Sequence, residues 1–118
     1  MLRNVVIAAA RRSPIGTFGG AFKNLKPTEL IVPVIQAVLK DSTLRKQDVN
    51  EVILGQCIQR TDEPNTARTA ALLAGLPPEV TGYTIQRQCA SGLQAIISGA
   101  LQIQTGMSDV VIAGGVEA

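Results

Sequence analysis

An α/β fold with a mainly parallel sheet flanked by helices is what this sequence predicts. Three observations predict it. The apolar runs Val5–Ala9 (VVIAA) and Val110–Gly115 (VVIAGG) show no polar alternation, the pattern of strands buried on both faces. Segments with helical apolar spacing separate the strand-like ones. The resulting order, βαβαβαβ, calls for parallel strands joined by right-handed crossovers.

Taken in order, the first strand is Val5–Ala9. Gly16, Gly19 and Gly20 follow in a loop that fits neither G-x-G-x-x-G nor P-loop spacing, so it reads as a tight connection. Pro27 opens a helix to about Lys40. Its stripe of Leu30, Ile31, Val34, Ile35, Val38 and Leu39 is core, and Pro33 inside it should kink the helix or delay its start. Leu44–Asn50 is a polar connection with a solvated surface.

Val52–Ile58 is the second strand and carries Cys57. That thiol has no helix N-terminus or basic neighbour close in sequence, so it reads as buried and inert. Asn65 or Thr66 caps the next helix, whose face of Ala67, Ala70, Ala71 and Ala74 allows close packing; Gly75 and Pro77 end it. Val80–Ile85 is a short strand, and Gly92–Gln104 a helix without a charged residue, which predicts cover on both sides. Gly106 stops it, and Asp109 leads into Val110–Gly115. The Val5 and Val110 strands, as uninterrupted apolar runs, are expected at the centre of the sheet.

Composition sets outer bounds. A chain of 118 residues suits one domain with a real core. Aromatics are 3%, so that core is aliphatic and alanine-based. Eleven basic residues against nine acidic ones give +2, far from a nucleic-acid-binding balance. A pI near 8.8 is compatible with an anionic ligand. Two cysteines do not make a disulfide framework, and with no histidine and no Cys-x-x-Cys pair a zinc site is not expected. Met1–Arg12 does not read as a signal peptide, and no apolar run approaches the ~20 residues that span a bilayer. A cytoplasmic location is the expectation.

The candidate site is Cys89. Strand, polar turn (Gln86–Gln88) and helix form an elbow that presents one side chain at a helix N-terminus. Unpaired N–H groups and the helix dipole favour thiolate over thiol there. The small residues Ala90, Ser91 and Gly92 let a substrate carbonyl approach. On these residues alone a second reading stays open: an inert thiol beside an ordinary Ser91-x-x-Gln94 capping box.

Five segments in register resemble one family. QCASGLQA (Gln88–Ala95) resembles the active-site segment of the thiolases, the acetyl-CoA acetyltransferases and 3-ketoacyl-CoA thiolases. RRSPIGTFGG (Arg11–Gly20) resembles their N-terminal loop, and EVILGQCIQ (Glu51–Gln59) their second strand. NTARTAALLAGLP (Asn65–Pro77) resembles their second helix, and DVVIAGGVE (Asp109–Glu117) the strand ending in G-G-x-E. The likeness spans essentially the whole chain. Ser13, Thr66 and Gln86 depart from the family pattern, which has Thr, Pro and Asn there.

The resemblance implies the first part of the N-terminal half of a five-layered sandwich, residues 1–118 being a partial N-terminal domain. It implies an acyltransferase that forms or cleaves 3-ketoacyl-CoA, by Claisen condensation or thiolysis, in fatty acid metabolism. Cys89 would be the nucleophile and its own backbone N–H an oxyanion donor, with coenzyme A and acyl-CoA as substrates and no tightly bound cofactor. The family's catalytic histidine, second cysteine and coenzyme A loops have no counterpart in these residues, so the chain alone is expected to be inactive. A homodimer or homotetramer is expected of the longer protein. Two alternatives remain: a condensing enzyme of the ketoacyl synthase type, and a non-catalytic interaction module in which Cys89 is structural. A Cys57→Ser change is expected to cost some stability and little activity.

Overall fold

The computed structural model describes residues 1–118. Its elements are α1 (Pro27–Ser42), β1 (Glu51–Gly55), α2 (Thr66–Leu73), β2 (Thr81–Ile85), α3 (Ser91–Gln104) and β3 (Val111–Gly115), with a 3-10 turn at Lys46–Asp48. α1 starts where Pro27 supplies a preset first turn, and Glu29 accepts the Lys26 N–H at 2.7 Å. Ile31, Ile35 and Leu39, four apart, turn one face into the core. Pro33 neither delays nor interrupts the helix; it lies on the exposed face, where water can meet the Glu29 carbonyl that it leaves without a helical donor. Thr43 adopts the left-handed conformation (φ 61°) and closes the helix with its N–H on the Lys40 carbonyl.

The sheet is wholly parallel in the order β2–β1–β3, with Val52 between Gly82 and Ile112. β1 is its centre: Val52 and Ile53 are 0% exposed and Leu54 1%. α2 packs closely here through Ala67, Ala70, Ala71 and Ala74, all buried. Asn65 is its N-cap, accepting from the Arg68 N–H at 3.3 Å. The Asn65 amide also donates to the Gly82 carbonyl at 3.0 Å, tying the helix start to β2.

Two expectations about the sheet fail. Val5–Ala9 is not a strand; Val6 and Ile7 are 81% and 82% exposed. Between Met1 and Gly16 the only backbone N–H bond is Arg3 to the Gln104 carbonyl. An extended segment becomes a strand only when a neighbour takes its N–H and C=O groups. Here an open apolar cavity of about 1230 Å³ lies between these residues and β3. The Val110 run, in turn, forms an edge strand, half-buried over Val111–Gly114. The element order is therefore αβαβαβ, with β1 in the place expected for the other two.

α3 covers one face of the sheet through Ser91, Ala95 and Gly99. A side chain at Gly99 would meet Val111 Cγ1 at 3.0 Å, so the helix lies close to β3. Its other face is open, with Leu93 62% and Leu101 53% exposed, so the cover expected on both sides is not supplied within these residues. Exposed apolar surface favours association at about 25 cal/mol per Å² buried, and β3 offers an unpaired edge. The isolated chain is expected to associate in sedimentation velocity; a monodisperse monomer with cooperative unfolding and no dye-binding surface would contradict this. No helix is long and apolar enough to cross a membrane.

Candidate active site

The site is built where the C-terminal ends of β1 and β3 meet the N-terminus of α3, and glycines allow that meeting. A Cβ at Gly55 would lie 2.2 Å from the Ser91 carbonyl carbon and 2.4 Å from the Gly92 nitrogen. One at Gly115 would lie 3.2 Å from the Gly92 Cα. Only bare backbone lets the first turn of α3 sit directly on the strand ends. A cleft of about 250 Å³ opens there, and Cys57, Gln88, Cys89, Ser91 and Glu117 are among its walls.

Cys89 is exposed and stands two residues before the first residue of α3. The turn that presents it is strained: Gln88 has φ 51°, outside the range side chains prefer. Hydrogen bonds hold it. The Gln88 N–H donates to Gln86 Oε1 at 2.6 Å, and its carbonyl accepts the Ser91 hydroxyl at 2.6 Å and the Ser91 N–H at 3.1 Å. Ser91 Oγ also accepts the Arg87 N–H at 2.7 Å. Ser91 is thus inside the helix, facing back into the turn, and Ala90 is the N-cap, so the Ser91–Gln94 capping box does not form. The N–H groups of Cys89, Gly92 and Leu93 have no acceptor within the chain, as the first turn of a helix leaves them.

Cys57 corrects the sequence reading. β1 ends at Gly55, so Cys57 lies in the following loop; it is half-buried rather than buried. Its thiol donates to the Gln88 carbonyl at 2.7 Å, which brings both cysteines to one turn. Sequence reasoning gave Glu117 no role. Its carboxylate accepts the Cys57 N–H at 2.8 Å and the Ile58 N–H at 3.1 Å. The signal available in the sequence was the terminal Glu of G-G-x-E. The strongest charge perturbation lies elsewhere, in the loop after Cys57, where Arg60 and then Lys26 hold the Asp62 carboxyl well below the usual carboxylate range.

Comparison with known proteins places this geometry. Residues 5–118 match the family model of the thiolase N-terminal domain. A "Probable acetyl-CoA acyltransferase" of Staphylococcus aureus (strain MRSA252) is 42% identical over 116 residues, 98% of this chain and 30% of that protein. Its counterpart in strain NCTC 8325 / PS 47 is 41% identical over the same length. The crystal structure of the Bacillus anthracis acetyl-CoA acetyltransferase superposes with a TM-score of 0.98 at 68% identity, over 99% of this chain and 30% of that one. The chain thus spans about a third of the length of the relatives it matches. With the elbow, the parallel sheet and these matches in agreement, the chain belongs to the thiolase family.

Proposed function

We propose that the longer protein is a thiolase-type acyltransferase that forms or cleaves 3-ketoacyl-CoA through a thioester on Cys89. The observation that carries this is an exposed thiol at the mouth of a cleft, on a held, strained turn, beside three unpartnered N–H groups. In the acylation step the Cys89 thiolate attacks the thioester carbonyl of an acyl-CoA. The carbonyl electron pair moves onto oxygen, where the Cys89 N–H donates to it. Collapse expels the coenzyme A thiolate and leaves the acyl group on Sγ. The enolate of a second acyl-CoA then takes that group, forming the new carbon–carbon bond and freeing Sγ. In the cleavage direction the thiolate attacks the 3-keto carbonyl of a 3-ketoacyl-CoA, the carbon–carbon bond breaks, the departing enolate is protonated to acetyl-CoA, and coenzyme A takes the acyl group from Sγ.

These residues contain no histidine, so the base for Cys89 and a second acid/base come from sequence outside them. The 118 residues alone are inactive in this reading, and the working protein is a cytoplasmic homodimer or homotetramer. Alkylation of the longer protein with iodoacetamide tests it. Cys89 is expected to label faster than a free thiol, labelling should abolish acyl transfer, and acyl-CoA should protect. Slow labelling at Cys89, or labelling without loss of turnover, would make it a structural cysteine.

A further inference from the structure

We propose that Glu117 and Cys57 are positioning residues that fix the Cys89 turn. Three features converge on Gln88. Its left-handed backbone (φ 51°) is one that non-glycine residues rarely adopt, so neighbours must hold it there. Its carbonyl takes three donors, two from Ser91 and one, the Cys57 thiol at 2.7 Å, from a different part of the chain. That third donor sits on a short loop that is itself clamped from both sides. Glu117, two residues past the end of β3, accepts the N–H groups of Cys57 and Ile58. From inside, the buried Gln56 amide donates to the Ile58 carbonyl at 3.2 Å, and Gln56 Oε1 accepts the Thr66 hydroxyl.

The chain of contacts therefore runs from the Glu117 carboxylate through the loop backbone to the Cys57 thiol, and from there to the carbonyl one residue before Cys89. Hydrogen bonds from N–H to a carboxylate are the stronger kind, and two of them on adjacent residues set the loop's direction as well as its position. Without Glu117 the loop is free to move on that side, Cys57 retreats, and the turn at Gln88 keeps only its local donors. Cys89 then samples orientations away from the cleft. The effect falls on the reacting geometry and leaves substrate contacts in place.

This rests on Cys89 being the nucleophile, and the test separates the two claims. In the longer protein, kcat, KM, Tm and the rate of Cys89 alkylation by iodoacetamide are compared among wild type, Glu117→Ala, Cys57→Ala and Cys57→Ser. Glu117→Ala is expected to lower kcat about 10- to 100-fold with KM within about 2-fold, since small misplacements of reacting groups cost rates of that order. Alkylation of Cys89 should slow in parallel. Cys57→Ala should lower kcat less, and Cys57→Ser, which keeps a donor, should restore most of what Cys57→Ala loses. If Glu117→Ala does not fold, the Cys57 pair still decides, because the two differ by one hydroxyl. Wild-type kcat and alkylation in Glu117→Ala and Cys57→Ala, even with a lowered Tm, would overturn the proposal. So would equal kcat in Cys57→Ala and Cys57→Ser. The alkylation comparison reads the turn whether or not Cys89 carries the acyl group, and turnover surviving in Cys89→Ser would sink only the functional reading.

Discussion

Cys89→Ser in the longer protein is expected to lower acyl-transfer kcat by roughly four orders of magnitude or more while the fold survives. The residue is exposed and packs against little, so one oxygen for one sulfur leaves the fold unstrained. The chemistry is another matter. A thiolate is both a strong nucleophile and a tolerable leaving group, whereas a serine hydroxyl in the same turn is a weak nucleophile. The substituted protein should keep its Tm within about 2 °C, the shift of a sub-kcal/mol change in a protein of this class. Retained turnover would remove Cys89 from the mechanism; lost turnover with an equally large loss of stability would leave its role unassigned.

Gly55→Ala is expected to have the largest effect on stability, about 3 kcal/mol, at the upper end for inserting a single methyl group into a packed interior. The new Cβ would lie 2.2 Å and 2.4 Å from two backbone atoms of α3's first turn, where ordinary contact begins at 3.4 Å. Neither atom is the end of a flexible side chain, so the helix start must retreat by roughly 1 Å. Because Cys89 lies two residues before that helix start, labelling and turnover should fall with stability. Gly114→Ala is the control, since its Cβ would meet only Leu54 Cδ2 at 3.8 Å. Urea unfolding of the two should differ by about 2 kcal/mol or more. Equal midpoints would mean that α3 does not rest on β1 as described.

Local signals carried much of the fold. Pro27 marked the start of α1, the Ala67–Ala74 face marked α2 as the close-packed helix, and the pair Asn65 and Thr66 bracketed its cap, which is Asn65. The Cys89 elbow was legible for the same reason: strand, turn and helix are consecutive, and their junction needs no distant residue. Sheet order was not legible, because it depends on which segments lie side by side. Val5–Ala9 and β1 are both apolar, but only β1 has parallel neighbours to take its backbone groups on each side.

The β1 boundary decided the reading of Cys57. A strand drawn through Ile58 puts the thiol in a buried face, while the observed end at Gly55 puts it in a loop turned towards Gln88. Nothing in the sequence singled out Gly55. Its reason is a backbone met 36 residues later, at Ser91, and no local pattern encodes that.

The central claim is that Cys89 carries the acyl group, and trapping that intermediate tests it most directly. The longer protein is mixed with acetyl-CoA, quenched in acid and digested, and the peptides containing Cys57 and Cys89 are weighed. The account predicts a single acetyl group on the Cys89 peptide, released by neutral hydroxylamine as a thioester is, and absent from Cys89→Ser. An enzyme that turns over with no acetyl group on Cys89, or with one on Cys57 instead, would contradict it.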